Sequence, residues 1–365
     1  MGFNCGIVGL PNVGKSTLFN AVTNTTAAAA ANYPFCTIEP NIGRVPVPDQ
    51  RLDTLTRIGK SAKTVPTQLE IKDIAGLVRG ASKGEGLGNK FLGAIREVDA
   101  ILEVLRCFED PDVTHVEGSV DPLRDAELLE TELLLADLES LERQTDGLIK
   151  RARGQDKDAK ARLELLERVR PAMEAGRQAR TLDLADDERA LLAGFNLLTA
   201  KPILYVCNVD EAAAAEGNEL TRRVAALAHE QRARHVVISA AIEAELSSLA
   251  EDEKAEYLAS MGLTEPGLNR VIREGHELLG LLTFFTVGPK EARAWTVHQG
   301  ASAPQAAGVI HTDFERGFIC AEVIGYDDFV RLGGEQGAKE QGRMRLEGRD
   351  YVIQDGDVCH FRFNV

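Results

Sequence analysis

Several familiar features are missing from this 365-residue chain. Its six cysteines (Cys5, Cys36, Cys107, Cys207, Cys320 and Cys359) form no C-x-x-C pair. That argues against a zinc site or a disulfide framework and suits a reducing compartment. No apolar run approaches the roughly 20 residues of a membrane span, and no secretory leader pattern opens the chain. A soluble, cytoplasmic protein with no membrane partner is expected. Positive charge is short as well: the net charge of −15 excludes wholesale electrostatic attraction to nucleic acid. Tandem repeats and low-complexity tracts are absent.

What is present starts at residue 9. Gly9-Leu10-Pro11-Asn12-Val13-Gly14-Lys15-Ser16 is a complete G-x-x-x-x-G-K-S phosphate-binding loop. It follows an apolar, strand-like run (Phe3 to Val8) and leads into a helical pattern from Thr17. The glycines let backbone N–H groups of residues 12–17 (Asn12, Val13, Gly14, Lys15, Ser16 and Thr17) turn toward phosphates, and the helix N-terminus adds its positive dipole end. Lys15 is expected on the terminal phosphates, and the Ser16 hydroxyl on Mg²⁺.

Strand-like and helix-like stretches alternate through residues 1–124 and again through 197–280, the rhythm of an α/β fold with a mainly parallel sheet. Between them, 125–196 is helical. Leu134, Leu138, Leu141, Thr145, Leu148 and Ala152 step by four and three, and a second series (Leu163, Leu166, Val169, Met173) follows a polar break at Arg153–Lys157. An inserted antiparallel coiled coil is expected, with two ordinary core helices as the alternative. The segment Arg143–Arg180 carries eleven Lys/Arg against six Asp/Glu, a basic patch on an acidic body. Its Lys150, Arg151, Arg153, Lys157, Lys160 and Arg162 are candidate RNA-phosphate contacts, or else a solvated helix face. Residues 281–365 have short β-rich runs and Gly turns, as in a small α+β domain.

Further motifs narrow the class of phosphate-loop protein. Asp73-Ile74-Ala75-Gly76 stands at a strand end, where D-x-x-G supplies a water-bridged Mg²⁺ ligand (Asp73) and an N–H for the γ-phosphate (Gly76). Thr37 occupies the place of a switch threonine that completes the Mg²⁺ shell. Asn208-Val209-Asp210-Glu211 stands at the base-recognition position, with Ser239-Ala240 as the base-backing loop. Here Val209 and Glu211 replace the Lys and Asp of N-K-x-D. A longer carboxylate cannot take the same paired bonds from guanine, so adenine becomes acceptable or preferred. A guanine reading through a shifted loop is the alternative.

With these strings, and with Phe35–Asn41, Ala292–Trp295 and Phe361–Val365, the sequence resembles the YchF or Obg-like ATPase family along essentially its whole length. The resemblance implies a G domain interrupted by a coiled-coil insertion, a C-terminal ubiquitin-like TGS domain, preference for ATP over GTP, and association with ribosomes. Leu77 follows the D-x-x-G motif where many GTPases carry a water-orienting Gln, so slow intrinsic turnover is expected. The resemblance suggests His115, in the loop after the strand ending at Cys107, as the group that positions water. Asn12 is a candidate ligand for K⁺ near the β/γ bridge. The expectation is a monomeric, Mg²⁺-dependent ATPase used as a switch on the ribosome. A GTPase, or a nucleotide-sensing adaptor in stress or redox control with Cys36 as a sensitive thiol, stands as the alternative.

Overall fold

The computed structural model describes residues 3–32, 41–74, 87–111 and 118–364. Among them the strands run, in chain order, β1 (Asn4–Val8), β2 (Ile42–Pro46), β3 (Thr64–Val65), β4 (Gln68–Asp73), β5 (Ala100–Arg106), β6 (Ile203–Asn208), β7 (Arg234–Ile238), β8 (Leu281–Val287), β9 (Ala292–His298), β10 (Phe318–Gly325), β11 (Arg345–Glu347) and β12 (Asp357–Phe363). The helices used below are α1 (Lys15–Asn32), α2 (Gln50–Gly59), α3 (Leu87–Glu97), α4 (Pro122–Arg153), α5 (Lys157–Glu174), α6 (Asp186–Ala193), α7 (Glu219–Glu230) and α8 (Ala240–Leu246).

The chain forms two compact units. One is built from segments 4–43 and 70–274, the other from Phe3, Arg44–Leu69 and the chain from Gly275 onward.

The first unit carries a six-stranded sheet in the order β2-β4-β1-β5-β6-β7. Strands β4, β1, β5, β6 and β7 run parallel, with Ile7 opposite both Asp73 and Leu102. Helices on both faces bury such strands completely, and every residue of β5 and β6 is buried. The chain moves to opposite sides of β1 for β4 and β5, so a ligand crevice opens at the carboxyl end of β1. The phosphate loop lies there.

Helices α4 and α5 meet at a turn where Gln155 adopts φ 64°. Asp121 accepts from the Leu123 N–H at 3.2 Å, and Asp156 from the Ala159 N–H at 3.1 Å, which caps the two helices. The expected seam forms: Leu134, Leu141 and Leu148 cluster with Leu166, Val169 and Met173, while Leu138, Ala152 and Leu163 are half-buried against them. Leu192, Phe195 and Leu197 join the same cluster. The insertion is therefore a small bundle closed by the α6 region, which sequence periodicity did not reveal. Thr145 plays a different part from its seam neighbours, with its hydroxyl donating to Leu141 O at 2.7 Å.

In the second unit the sheet order is β11-β10-β12-β8-β9-β3. Pairs β8/β9, β10/β12 and β10/β11 are antiparallel, while β12/β8 and β3/β9 are parallel. Phe284, Val323, Phe361, Ala303 and Ala307 fill one core of this small α+β unit.

The expected domain boundaries change. Residues 44–69, assigned to the nucleotide-binding segment 1–124, pack with the C-terminal unit because Leu52 and Leu55 of α2 bury against Phe285, Ala294, Phe329 and Val358. Residues 275–280 join it too. Tyr351–Ile353 makes an isolated bridge, Val352 to Ser302. After α8 a separate helix spans Glu251–Ser260.

Candidate nucleotide site

The phosphate loop leaves β1 and closes its first helical turn through Leu18 N–H to Gly14 O at 3.0 Å. Asn12 (φ 64°) and Gly14 (φ 94°) are both left-handed, which curls the backbone. Only glycine suits position 14: a Cβ there would lie 2.2 Å from Asn208 Nδ2. Val13 is buried and pins the loop to the core, whereas Asn12, Ser16 and Thr17 are exposed. For Val13, then, only the backbone is available to a phosphate. Lys15 Nζ forms an ion pair with Asp73 Oδ1, bringing the loop lysine and the D-x-x-G aspartate together.

Thr37, Gly76 and His115 lie outside the described residues, as do Cys36 and Leu77. Of the expected Mg²⁺ set, Ser16 and Asp73 are described: an exposed hydroxyl at the helix start and a half-buried carboxylate at the end of β4. An all-oxygen pair of this kind fits a hard cation.

The base-recognition residues divide in two. Asn208 is buried, and both ends of its amide are used: Nδ2 donates to Val13 O at 2.9 Å and Oδ1 accepts from Ala240 N–H at 2.9 Å. Ser239 and Ala240 are buried too, Ser239 Oγ capping α8 by accepting from Ile242 N–H at 3.5 Å. These residues tie the phosphate loop to the β7–α8 loop. The Ser239 hydroxyl and the Ala240 N–H are both engaged within the protein.

The open surface is a cleft of about 530 Å³ lined by Phe108–Pro111, Asn208–Ala212 and Ala241. Val209 donates its N–H to Ile238 O at 2.9 Å and keeps its side chain inside. Asp210 caps the short turn Glu211–Ala213 by accepting from Ala213 N–H at 2.9 Å. Both Asp210 and Glu211 are exposed and line the cleft. The wall Phe108–Pro111 and Ala241 were missed from sequence. So were two residues that hold the wall: Arg106, on carbonyls of Phe108 and Asp110, and Asn218, on Cys107 O. An arginine ending a fully buried strand was the available signal.

The six basic candidates of the insertion also separate. Lys150, Arg153, Lys157 and Lys160 are exposed. Arg151 pairs with Asp156 at 2.6 Å, and half-buried Arg162 pairs with Asp158 at 3.0 Å while lying over the Phe195 ring. Those two are engaged within the hairpin. Near the C-terminal end, Phe361 is buried, and Phe363 is exposed and stacks on Phe314.

Residues 4–153 match the family profile MMR_HSR1, described as a 50S ribosome-binding GTPase, and residues 281–364 match YchF-GTPase_C, described as a protein of unknown function. The chain is 58% identical over 365 residues to proteins named "Ribosome-binding ATPase YchF" from Pasteurella multocida and Haemophilus ducreyi, covering 100% of both chains in each case. It superposes on the solved Schizosaccharomyces pombe YchF GTPase with a TM-score of 0.89 at 38% identity, covering 99% of this chain and 98% of that one. With phosphate loop, D-x-x-G aspartate and altered base motif assembled around one crevice, and with similarity running end to end, the chain belongs to the YchF family.

Proposed function

We propose that this protein binds ATP in preference to GTP, hydrolyses it slowly to ADP and phosphate with Mg²⁺, and uses the cycle as a switch on the ribosome in the cytoplasm. The observation that carries this reading is the base motif. Glu211, exposed on the cleft beside Asp210, stands where N-K-x-D has its aspartate, and its extra methylene cannot reproduce a short aspartate's paired bonds to guanine. The relatives' shared name supports both the ATPase and the ribosome.

Bound Mg²⁺ would neutralise charge on the β- and γ-phosphates, held by the Ser16 hydroxyl and, through water, by Asp73, with Thr37 completing the set. Lys15 supplies a fixed positive charge for the terminal phosphates, and the backbone of residues 12–17 orients them. We assign the Gly76 N–H to the γ-phosphate, His115 to positioning of water, and Asn12 to a monovalent cation such as K⁺. The protein acts as a monomer whose insertion meets ribosomal RNA through Lys150, Arg153, Lys157 and Lys160.

Side-by-side affinities and turnover for ATP and GTP in Mg²⁺, repeated in K⁺ and Na⁺ and with ribosomes added, test the reading. Tighter binding and faster turnover of ATP are expected. A clear GTP preference in both would instead favour the second reading, a GTPase, which the name of the fission-yeast structure supports.

A further inference from the structure

The wall Phe108–Pro111 of the cleft is loop, yet two of its carbonyls, and that of Cys107 before it, are held by side chains. Arg106, the last residue of β5, is 1% exposed. Its Nε donates to Phe108 O at 3.1 Å and its Nη2 to Asp110 O at 3.2 Å, while the guanidinium lies 4.9 Å from the centre of the Phe108 ring. Just before this, Cys107 N–H donates to Asn208 O at 2.8 Å, and Asn218 Nδ2 donates to Cys107 O at 2.7 Å. A buried guanidinium is costly unless its donors are used. Here two of them hold the backbone of the cleft wall.

From this geometry we infer that Arg106 is the positioning residue that sets purine selectivity. It fixes the distance between the Phe108 wall and the Val209–Glu211 wall, and so decides which base edge fits. Lysine is a poor substitute, since it lacks the planar fork that reaches both carbonyls while lying on the ring. The inference rests on the cleft being the base site.

Arg106→Lys is the first test. Asn218→Asp is the second: it keeps the acceptor that caps α7 through Thr221 N–H at 3.0 Å and loses the donor to Cys107 O. The probes are ATP, GTP and inorganic tripolyphosphate, with the fold checked by circular dichroism. In Arg106→Lys, ATP affinity should fall about tenfold and the ATP-to-GTP ratio move toward one, with the loss on KM more than on kcat. Tripolyphosphate affinity should hold. Asn218→Asp should shift the ratio in the same direction, and carries the test alone if Arg106→Lys does not fold. An unchanged ratio in the folded variants would overturn the inference, as would tripolyphosphate affinity falling in step with ATP. Failure of the base-site reading shows separately, in the unmodified protein, as tripolyphosphate binding as tightly as either nucleotide.

Discussion

Asn208 Nδ2 donates to the Val13 carbonyl at 2.9 Å, so the end of β6 holds the phosphate loop directly. The same side chain accepts from Ala240 N–H. One buried amide therefore couples the two halves of the nucleotide site.

Asn208→Ala should weaken ATP and GTP together, because it loosens the phosphate loop that both nucleotides use. Each buried polar group left unpaired costs about 1–3 kcal/mol. The melting temperature should fall, and titration with fluorescent nucleotides should show both affinities dropping. A selective loss of one base would contradict the assignment.

Gly14→Ala tests the loop's conformation. At φ 94° a side chain is strained by about 1–3 kcal/mol, and its Cβ would collide with Asn208. Nucleotide binding should be lost by calorimetry while the helical circular-dichroism signal stays. Binding at the unmodified level would mean that the loop has another shape.

Glu103 gives a pH prediction. It is 2% exposed in β5, and its Oε2 has no hydrogen-bond partner. Burial, then the neighbouring Glu130 and Asp125, push its carboxyl well above the ordinary 4.5, against the opposing pull of Arg180. The folded protein thus keeps a proton that the unfolded chain has lost, so this group's contribution to stability falls as pH rises above about 4.5. Glu103→Gln, neutral throughout, should raise the melting temperature more at pH 8 than at pH 5. An equal gain at both would show that the group is ionised in the fold.

On the insertion, the four-fold change Lys150→Glu, Arg153→Glu, Lys157→Glu and Lys160→Glu should reduce co-sedimentation with ribosomes and flatten its salt dependence. Each phosphate contact contributes about 0.7–0.9 to the log–log salt slope. Arg151→Ala, removing a group already paired with Asp156, should do less. Retained binding in the four-fold variant would reassign the patch to a solvated face.

Much of the site was legible because it is local. Gly9–Ser16 lies between a strand and a helix that are its immediate neighbours in sequence, and the α4–α5 seam repeats within one segment. The selectivity wall was hidden because its meaning depends on partners about 100 residues away: Cys107 is held by Asn208 and Asn218. For Ser239 and Ala240 the place after β7 was legible, but the partners of the Ser239 hydroxyl and the Ala240 N–H, Ile242 and Asn208, were not.

The sequence by itself determined the phosphate chemistry, the strand–helix rhythm, the capped hairpin and the departure from N-K-x-D, since each follows from residues close together in the chain. Only the tertiary structure decided that α2 belongs with the C-terminal unit, that Asn208 is a strut and that Arg106 braces the cleft. Leu52 and Leu55 bury against residues more than 200 positions downstream. Contacts of that separation come from how apolar faces and buried polar groups find partners on folding, and no local pattern records them.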